Sequence, residues 1–470
     1  VRLLNVTSEM IENLIFDLTM NRRIKVVGDE VYEYPLFRME QRSAAKLLTL
    51  KNRFAVEEKG IDDAISQIET EEQMTLDENQ RKAVQEAAEN GILILTGGPG
   101  TGKTTTIRSI IRYFRNEGLE VCLAAPTGRA AKRMSEACGQ DAQTIHRLLE
   151  VQKGGTTDDS EPGSNPGIFG RNEENPIEAD VVIIDEMSMV DITIFYSLLR
   201  ALDEGMRLVL VGDVDQLPSV GPGNVLKDLI ASEAFPVVRL TNIFRQKDTG
   251  DIVLNAHKIR NGEEVTLDNK SRDFFFMKRY DANHIISVVI QLLKGKLKDY
   301  VQSEVFDIQV LSPTRKGLCG VANLNRILQE YMNPPSESKY EKQFGDIVFR
   351  EGDKVMQTKN NYTKQVFNGD IGFVMAIEPG RMTVHFGDEL EVDYESGEFG
   401  ELSLAYALTV HKSQGSEYPV VILPLVRSHT IMMQRNLLYT AVTRAKREVI
   451  LLGSKAALNT AVANNRTSKR

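Results

Sequence analysis

Short apolar runs alternate with amphipathic stretches along most of the chain, which predicts alternating strands and helices. Between residues 76 and 246 the candidate strands are 92–95, 121–124, 181–184, 208–211 and 237–240. A second alternating block has candidate strands at 306–311, 404–410, 420–425 and 449–452. Strands separated by helices are typical of parallel sheets covered by helices, so the sequence predicts two α/β domains.

Three segments depart from this alternation. Residues 1–75 combine helical patterns with a β-hairpin signal, which is compatible with a winged-helix-like module. Residues 153–175 are rich in Gly, Ser, Asn, Asp and Pro, which predicts an exposed insertion. Short β segments with Gly-Asp turns between about 340 and 400 predict a small barrel. The expected division is a module at 1–75, a first domain at 76–250 with an insertion at 150–178, and a second domain at 251–470 with the barrel inserted.

Composition narrows the classes of protein. A length of 470 residues suggests about three domains, and 41% hydrophobic residues supply several cores. The net charge of −9 excludes a uniformly basic nucleic-acid coat, so any nucleic-acid path must be a local track. The three cysteines lack paired spacing, which argues against disulfides or zinc and favours a reducing cytoplasm.

Targeting features are lacking in the printed sequence. No apolar run approaches the roughly 20 residues that a membrane span requires, and no signal-peptide pattern is present. The chain opens on Val1 rather than Met, which suggests a fragment or a processed or renumbered chain.

The sequence GGPGTGKT at residues 97–104 lies between an apolar run and an amphipathic helix. Strand, glycine-rich loop and helix in that order predict a phosphate-binding loop, because glycines let backbone N–H groups turn towards a phosphate. Lys103 would bridge the β- and γ-phosphates of ATP, and the Thr104 hydroxyl would hold Mg²⁺. The alternative is a structural turn before a helix. The predicted nucleotide contacts are Gly98, Pro99, Gly100, Thr101, Gly102, Lys103, Thr104 and Thr105.

Two later strand ends carry polar groups. Asp185 and Glu186 follow the apolar residues 181–184, so Asp185 would complete the Mg²⁺ shell and Glu186 would orient and deprotonate the attacking water. The alternative is an N-cap pair for the following helix. Gln216 follows the next candidate strand and suits a sensor of the γ-phosphate. The alternative is an ordinary loop residue, because the position of the strand is what favours the sensor.

Seven segments resemble, in order, the signature motifs of superfamily 1 helicases. They are residues 97–104 (motif I), 125–131 (APTGRAA, Ia), 185–186 (II), 212–216 (GDVDQ, III), 240–246 (LTNIFRQ, IV), 409–415 (TVHKSQG, V) and 439–445 (YTAVTRA, VI). The amino-acid sequences of motifs Ia and II are similar to those of the RecD branch. The module that precedes motif I favours the stand-alone RecD-like helicases over the subunit of the RecBCD nuclease.

The resemblance implies a fold and a set of nucleotide contacts. The fold is two RecA-like domains with ATP in the cleft between them, an SH3-like 2B barrel and a small 1B hairpin. Gln80 matches the glutamine that reads adenine, with an ordinary surface glutamine as the alternative. Arg245 and Arg444 match the arginines that reach the γ-phosphate from the side of the second domain. The alternative for Arg444 is a purely structural role in its helix.

The resemblance also implies contacts to a nucleic-acid strand, made by hydroxyls, backbone N–H groups and a few cations at strand ends of both domains. The residues concerned are Pro126, Thr127, Arg129, Thr144, His146, Ser312, Thr314, Thr409 and His411. His146 and His411 each have a capping or core histidine as the alternative.

The function that follows is an ATP-dependent DNA helicase that moves 5′ to 3′ along single-stranded DNA and unwinds duplexes in repair or recombination. The expected partners are single strands and single/double-strand junctions, with no membrane, and the motor is expected to be monomeric. One alternative is a helicase acting on RNA, and another is a P-loop NTPase switch that does not translocate. A nuclease is disfavoured because no separate carboxylate cluster is visible for a second metal site.

Overall fold

The computed structural model describes residues 7–52, 54, 58–151, 169–242, 250–295, 297, 307–361, 363–387, 390–426, 429 and 432–466. The first elements are helix α1 (Ser8–Met20), a hairpin of β1 (Ile24–Val27) and β2 (Glu30–Glu33), α2 (Tyr34–Leu50) and α3 (Glu58–Glu71). Leu47 and Leu50 of α2 are buried against the α/β unit that follows, whereas α1 has no buried residue. The predicted hairpin is therefore present, and α2 shares a core with the neighbouring unit.

The next unit is a six-stranded parallel sheet with helices on both faces. Its elements are α4 (Glu78–Glu89), β3 (Ile92–Gly97), α5 (Lys103–Asn116), β4 (Val121–Ala125), α6 (Gly128–Cys138), β5 (Ala142–Thr144), α7 (Ile145–Leu148), β6 (Val181–Ile184), α8 (Ile192–Arg200), β7 (Arg207–Gly212), α9 (Val225–Ala231) and β8 (Val237–Leu240). The strand order is β5-β4-β6-β7-β3-β8. Ile92 and Ile94 face one hydrophobic cluster, and Leu93 and Leu95 face the other. Burial on both faces explains why these strands are continuous apolar runs.

A second parallel sheet follows. Its elements are α10 (Asp251–Asn261), β9 (Phe274–Lys278), α11 (Ala282–Lys294), β10 (Ile308–Ser312), α12 (Val321–Met332), β18 (Ala407–Thr409), β19 (Tyr418–Leu425), α13 (Arg435–Thr443), β20 (Ala445–Gly453) and α14 (Lys455–Ala463). The strand order is β18-β10-β19-β20-β9. In both sheets the first strand along the chain lies beside the fifth, and the third lies at the far edge. The two units therefore share one topology, with β8 added to the first, and the fold is two RecA-like domains.

An antiparallel β unit is inserted between α12 and β18. It contains the hairpin of β11 (Glu341–Phe344) and β12 (Ile347–Arg350), and the strands β13 (Lys354–Gln357), β14 (Ile371–Glu378), β15 (Arg381–Phe386), β16 (Leu390–Glu395) and β17 (Leu402–Leu404). Phe349, Tyr394 and Phe399 are among the large side chains buried in its own core. The insertion is an SH3-like barrel, as the sequence predicts.

The structure corrects one predicted strand. Residues 404–410 were expected to form a single strand of the second domain, but Leu402–Leu404 pairs within the barrel and Ala407–Thr409 pairs within the parallel sheet. The chain leaves the barrel between them. Phe306 and most of the predicted insertion at 150–178, residues 152–168, lie outside the described residues. Within the described part of the chain, no helix combines the length and apolar character needed to cross a membrane.

Candidate nucleotide cleft and nucleic-acid interface

The loop between β3 and α5 has the shape that its glycines predict. Gly100 and Gly102 have φ of 72° and 82°, a left-handed backbone that favours glycine. The Thr101 hydroxyl donates to the Gly98 carbonyl at 2.8 Å, which closes the loop, and Lys103 Nζ donates to the Gly97 carbonyl at 2.6 Å. No side chain caps the N-terminus of α5, so its first N–H groups remain available to a phosphate.

Gln80 is buried, with 2% of its surface exposed, so the surface alternative does not describe it. Its Oε1 accepts from the backbone N–H of Asp77 at 3.0 Å, and Asp77 accepts from the Gln80 N–H at 2.8 Å, forming a capping box at the start of α4. Gln80 Nε2 also donates to the Gly102 carbonyl at 3.4 Å. The glutamine therefore joins α4 to the phosphate loop.

Asp185 and Glu186 stand at the carboxyl end of β6. Glu186 stands at the N-cap position of a 3₁₀ turn at Met187–Met189 but makes no capping hydrogen bond with its side chain, and helix α8 is capped by Asp191, which accepts from Thr193 and Ile194. The cap alternative therefore does not describe the Glu186 carboxylate. Burial, together with the charge of Glu186, raises the pKa of Asp185 to about 6. A buried carboxylate beside another carboxylate is relieved by a nearby cation, and a carboxylate with the Thr104 hydroxyl forms the oxygen set that Mg²⁺ prefers. These residues fit a magnesium ion bound together with nucleotide phosphates.

Motif III is bonded directly to motif VI across the cleft. The Tyr439 hydroxyl donates to Asp213 Oδ2 at 2.8 Å, and Gln216 Nε2 donates to the same oxygen at 3.3 Å. The Leu217 N–H donates to the Thr440 hydroxyl at 2.9 Å. A Cβ on Gly98 would lie 3.0 Å from the Tyr439 hydroxyl, so this tyrosine also borders the phosphate loop. Tyr439 thus contacts the elements that carry motifs I and III.

Arg444 lies just after α13 and is 4% exposed. Its Nη1 donates to the Ser416 carbonyl at 3.2 Å, and its Nε is buried without a hydrogen-bond partner in the described residues. Burial alone would raise the pKa of Glu417, but Arg133, Lys446 and Arg444 together hold that pKa below its ordinary value. The other predicted arginine, Arg245, lies outside the described residues.

The predicted strand contacts occupy equivalent positions in the two domains. Pro126-Thr127 follows β4, and Pro313-Thr314 follows β10, the second strand of each sheet. Thr144 ends β5 and is followed by Ile145-His146-Arg147, and Thr409 ends β18 and is followed by Val410-His411-Lys412; β5 and β18 are each an edge strand of their sheet. The register agrees as well, because Ala125 pairs with Thr144 and Ser312 pairs with Thr409. The same pair of loops is therefore built twice.

The hydroxyls of these loops cap local backbone. Thr144 accepts from the N–H of Arg147 at 3.1 Å, and Thr409 accepts from the N–H of Lys412 at 3.2 Å. Thr127 accepts from the Ala130 N–H at 3.3 Å. Because each hydroxyl is fixed by its own turn, the loops hold a defined shape at the strand ends.

Helix α6 connects all three folded units. Arg129 donates to the Gly369 carbonyl of the barrel at 3.1 Å and to the Ser416 hydroxyl of the second domain at 2.8 Å. One turn later, Arg133 donates to the Gly415 carbonyl at 3.2 Å and forms an ion pair with Glu417 at 2.6 Å. These arginines place motif Ia against motif V.

Several residues that the structure brings to the cleft have no role predicted from the motifs. Tyr439 and Asp213 lie within motifs but had no assigned contact, and Arg133 was detectable only as the cation four residues after Arg129 on the same helix face. His429 lies 3.2 Å from the Thr314 hydroxyl, and burial lowers the pKa of His429 to about 4, so it is neutral. No motif marks His429.

Three family models match the chain. The AAA domain matches residues 80–222, the SH3 domain of ATP-dependent RecD-like DNA helicases matches residues 324–394, and the UvrD-like helicase C-terminal domain matches residues 404–452. The barrel identified in the fold thus corresponds to a domain described for RecD-like helicases.

Curated relatives and a solved structure agree with these matches. The ATP-dependent RecD2 DNA helicase of Deinococcus radiodurans is 35% identical over 93% of this chain, which spans 57% of that relative. The RecBCD enzyme subunit RecD of Mycobacterium tuberculosis is 32% identical over 82% of this chain and 71% of its own length. A chain from a structure of two coordinating Pif1 helicases at forked double-stranded DNA has a TM-score of 0.50 at 23% identity. That match covers 80% of this chain and 92% of the Pif1 chain, and it supports the fold. On the identity to RecD over most of both chains, this protein belongs to the RecD-like helicase family.

Proposed function

We propose that this chain is an ATP-dependent DNA helicase that translocates 5′ to 3′ along single-stranded DNA and unwinds duplexes in DNA repair or recombination. The names of its relatives, an ATP-dependent DNA helicase and a subunit of the RecBCD enzyme, support the activity. The direction of movement rests on the resemblance to the RecD branch alone.

The first domain supplies the nucleotide chemistry in this proposal. Residues 98–105 hold the phosphates of ATP through backbone N–H groups and Lys103. Gln80 would recognise adenine beside them by exchanging its amide bonds to Asp77 and Gly102 for bonds to the base. Thr104 and Asp185 would hold Mg²⁺, whose charge would offset that of the phosphates. Glu186 orients and deprotonates the attacking water, and Gln216 senses the γ-phosphate.

The second domain would supply cations once the cleft closes. Arg444, and Arg245 by resemblance, would stabilise the charge of the phosphoryl-transfer transition state. In the structure Arg444 is buried against Ser416 and its Nε has no described partner, so a donor is available close to motif V. Hydrolysis that depends on residues from both domains is coupled to domain closure, and closure is what moves the strand.

The observation that carries the proposal is the duplicated pair of strand-end loops. A Pro-Thr loop and a Thr-x-His loop recur at equivalent strand ends. Each domain therefore carries one such pair of loops, here called a grip, with the same positions relative to its sheet. Hydroxyls and backbone N–H groups bind phosphates without reading bases, which suits a protein that must hold any sequence. Two equivalent grips on domains that move relative to each other can advance along a strand in alternation. A switch that does not translocate has no use for the repeat.

The remaining assignments are proposals of the same kind. The proposed partners are single strands and single/double-strand junctions. We also propose that the motor acts as a monomer and that the domains meet near residues 75 and 250. The three cysteines are free thiols, which fits a reducing cytoplasm.

The decisive experiment measures the ATPase rate of the chain with and without single-stranded DNA, and with single-stranded RNA in parallel. The Lys103→Ala variant serves as the blank, and Glu186→Gln serves as a variant that should bind ATP while losing turnover. We expect strong stimulation by DNA. Stronger stimulation by RNA than by DNA would favour the RNA-directed alternative, because a preference for RNA requires contacts to the 2′-hydroxyl beyond those to phosphates.

A rate that neither nucleic acid changes would favour the switch and remove the strand contacts. Unwinding of a duplex with a 5′ overhang, compared with a 3′ overhang, then tests direction. Activity that requires the 3′ overhang would contradict the 5′ to 3′ assignment.

A further inference from the structure

A cavity of about 260 Å³ lies between the two RecA-like domains, beside motif III. The first domain contributes the loop after β7 and the start of α9, and the second contributes α10, α13 and Asn465. None of the lining residues belongs to the phosphate loop, so the cavity is separate from the proposed site for the nucleotide phosphates. It adjoins that site through Gln216 and Tyr439, which line the cavity and share Asp213 as a partner.

Three of the four charged residues that line the cavity are cations. Lys227, Arg260 and Arg435 line it, with Asp215 as the acidic member. Asp215 lies 3.8 Å from Arg260, whereas Lys227 and Arg435 form no ion pair within 4.0 Å of a carboxylate in the described residues. Asp228 next to Lys227, and Asp213 behind Gln216 and Tyr439, are the nearby carboxylates that do not line the cavity.

The lining is also rich in groups that bind oxyanions. Arg435 is anchored by its Nε, which donates to the Val462 carbonyl at 2.7 Å, so the guanidinium is held in place before any ligand arrives. Asn436 and Asn465 add amide groups beside it. Gln216 lines the cavity, and its buried Oε1 has no partner in the described residues, so rotation of the amide would let it accept from a protonated oxyanion. A planar guanidinium and a lysine are typical of phosphate recognition.

We propose that this interdomain cavity binds a phosphate oxyanion, and that the ion it receives during turnover is the orthophosphate released by hydrolysis next to Gln216. The second part rests on the proposed ATPase activity. The position supports orthophosphate because Gln216 would contact the γ-phosphate before hydrolysis and the cavity after it. A backbone phosphate of bound DNA has the same chemistry and is the other source.

The experiment titrates the full chain with orthophosphate by calorimetry, at constant ionic strength and with saturating MgADP. It is repeated in the Lys103→Ala background, so that binding to the phosphate loop is removed. Lys227→Gln and Arg260→Gln each remove one lining cation, and Lys258→Gln is the control. Lys258 lies on α10 like Arg260 but outside the cavity, where it donates to the Thr266 hydroxyl.

We expect one phosphate to bind in both backgrounds, with affinity about tenfold weaker in Lys227→Gln and Arg260→Gln and unchanged in Lys258→Gln. Single-stranded DNA affinity, measured in the same variants, should not change. No binding in the Lys103→Ala background, or equal weakening by Lys258→Gln, would overturn the site.

The DNA measurement distinguishes the two sources. If orthophosphate does not bind, and Lys227→Gln lowers DNA affinity and reduces its logarithmic salt dependence by about 0.7, the ligand is a DNA phosphate and the orthophosphate assignment is wrong. The titration needs no hydrolysis, so its failure leaves the helicase proposal intact. If the chain binds orthophosphate but does not hydrolyse ATP, the cavity remains a phosphate site, and only hydrolysis as the source of the phosphate is ruled out.

Discussion

The two RecA-like domains share one strand order, yet they differ at the strand that comes first along the chain. In the first domain this strand is β3, and the glycine loop and α5 follow it. In the second domain the equivalent strand is β9, and Asp281 and α11 follow it. The comparison isolates what a phosphate site adds to a common fold.

The difference lies in the first turn of the two helices. Gly102 precedes α5 in a left-handed conformation and offers no side-chain cap, which leaves N–H groups for a ligand. Asp281 precedes α11, and its carboxylate accepts from the N–H groups of Asn283 and His284 at 3.0 Å each. The second domain therefore fills with its own carboxylate the position that an anion would take in the first.

The other strand ends did not diverge in this way. The Pro-Thr and Thr-x-His loops are present in both domains with matching register. In the proposed function, the duplicated loops let both domains hold the strand, while the first domain binds ATP and the second responds to it. The predictions that follow test this asymmetry.

The largest expected effect comes from Lys103→Ala. Removing the cation proposed to contact the transferred phosphate should lower the ATPase rate by at least about 10²-fold, because no other described lysine or arginine lies on the loop. Lys82→Ala, an exposed lysine on the preceding helix α4, is the control and should retain the rate. Comparable turnover in the Lys103 and Lys82 variants would place the nucleotide elsewhere.

Arg444→Ala tests whether the second domain responds to the nucleotide. If its guanidinium stabilises the transition state, kcat should fall about 10³-fold with a much smaller loss of ATP affinity. Arg447→Ala, three residues further and exposed, is the control. Since Arg444 is buried, thermal unfolding of each variant must be compared first. Equal losses of affinity and turnover, with a lowered melting temperature, would make Arg444 a structural residue.

Most of this architecture could be predicted from the chain alone. Buried parallel strands are continuous apolar runs, so residues 181–184 were bounded correctly by hydrophobicity. Residues 237–240 were also bounded correctly, although Arg239 is exposed in this edge strand. Two strands were missed. Strand β5 has three residues, too few to establish a period, and the run of three phenylalanines in β9 does not separate strand from helix.

The connections between the domains could not be predicted. Tyr439 and Asp213 are 226 residues apart, and Arg129 and Ser416 are 287 apart, so their bonds depend on how whole domains pack. The motifs indicated which residues matter without indicating which of them touch. The interdomain cavity was likewise invisible, because Lys227, Arg260 and Arg435 belong to no motif.

Asp185→Asn tests the electrostatic cost of the nucleotide site. The folded-state pKa of about 6 exceeds the ordinary value of 3.8, so the unfolded chain loses its proton first and stability falls as pH rises from about 4 to 6. Asparagine removes that cost, and the variant without nucleotide should be more stable by about 2 kcal/mol at pH 8, with a smaller gain at pH 5.

Urea unfolding at the two pH values measures this difference. Asp141→Asn, at an exposed position, is the control and should change stability little. The same gain at pH 5 and pH 8 would show that the effect of Asp185→Asn is not the charge of the carboxylate.

The smallest effect is expected from Asp281→Ala, and it bears most directly on the comparison of the two helices. Losing two cap hydrogen bonds at the start of α11 should lower the free energy of unfolding by about 1 kcal/mol. Because α11 carries no proposed nucleotide contact, the ATPase rate and its stimulation by DNA should stay unchanged. Urea unfolding and ATPase assays on the same preparation measure both quantities, with Asn283→Ala as a neighbouring variant that removes no cap. A lower ATPase rate at preserved stability would mean that the capped helix of the second domain takes part in turnover, and the asymmetry between the domains would have to be placed elsewhere.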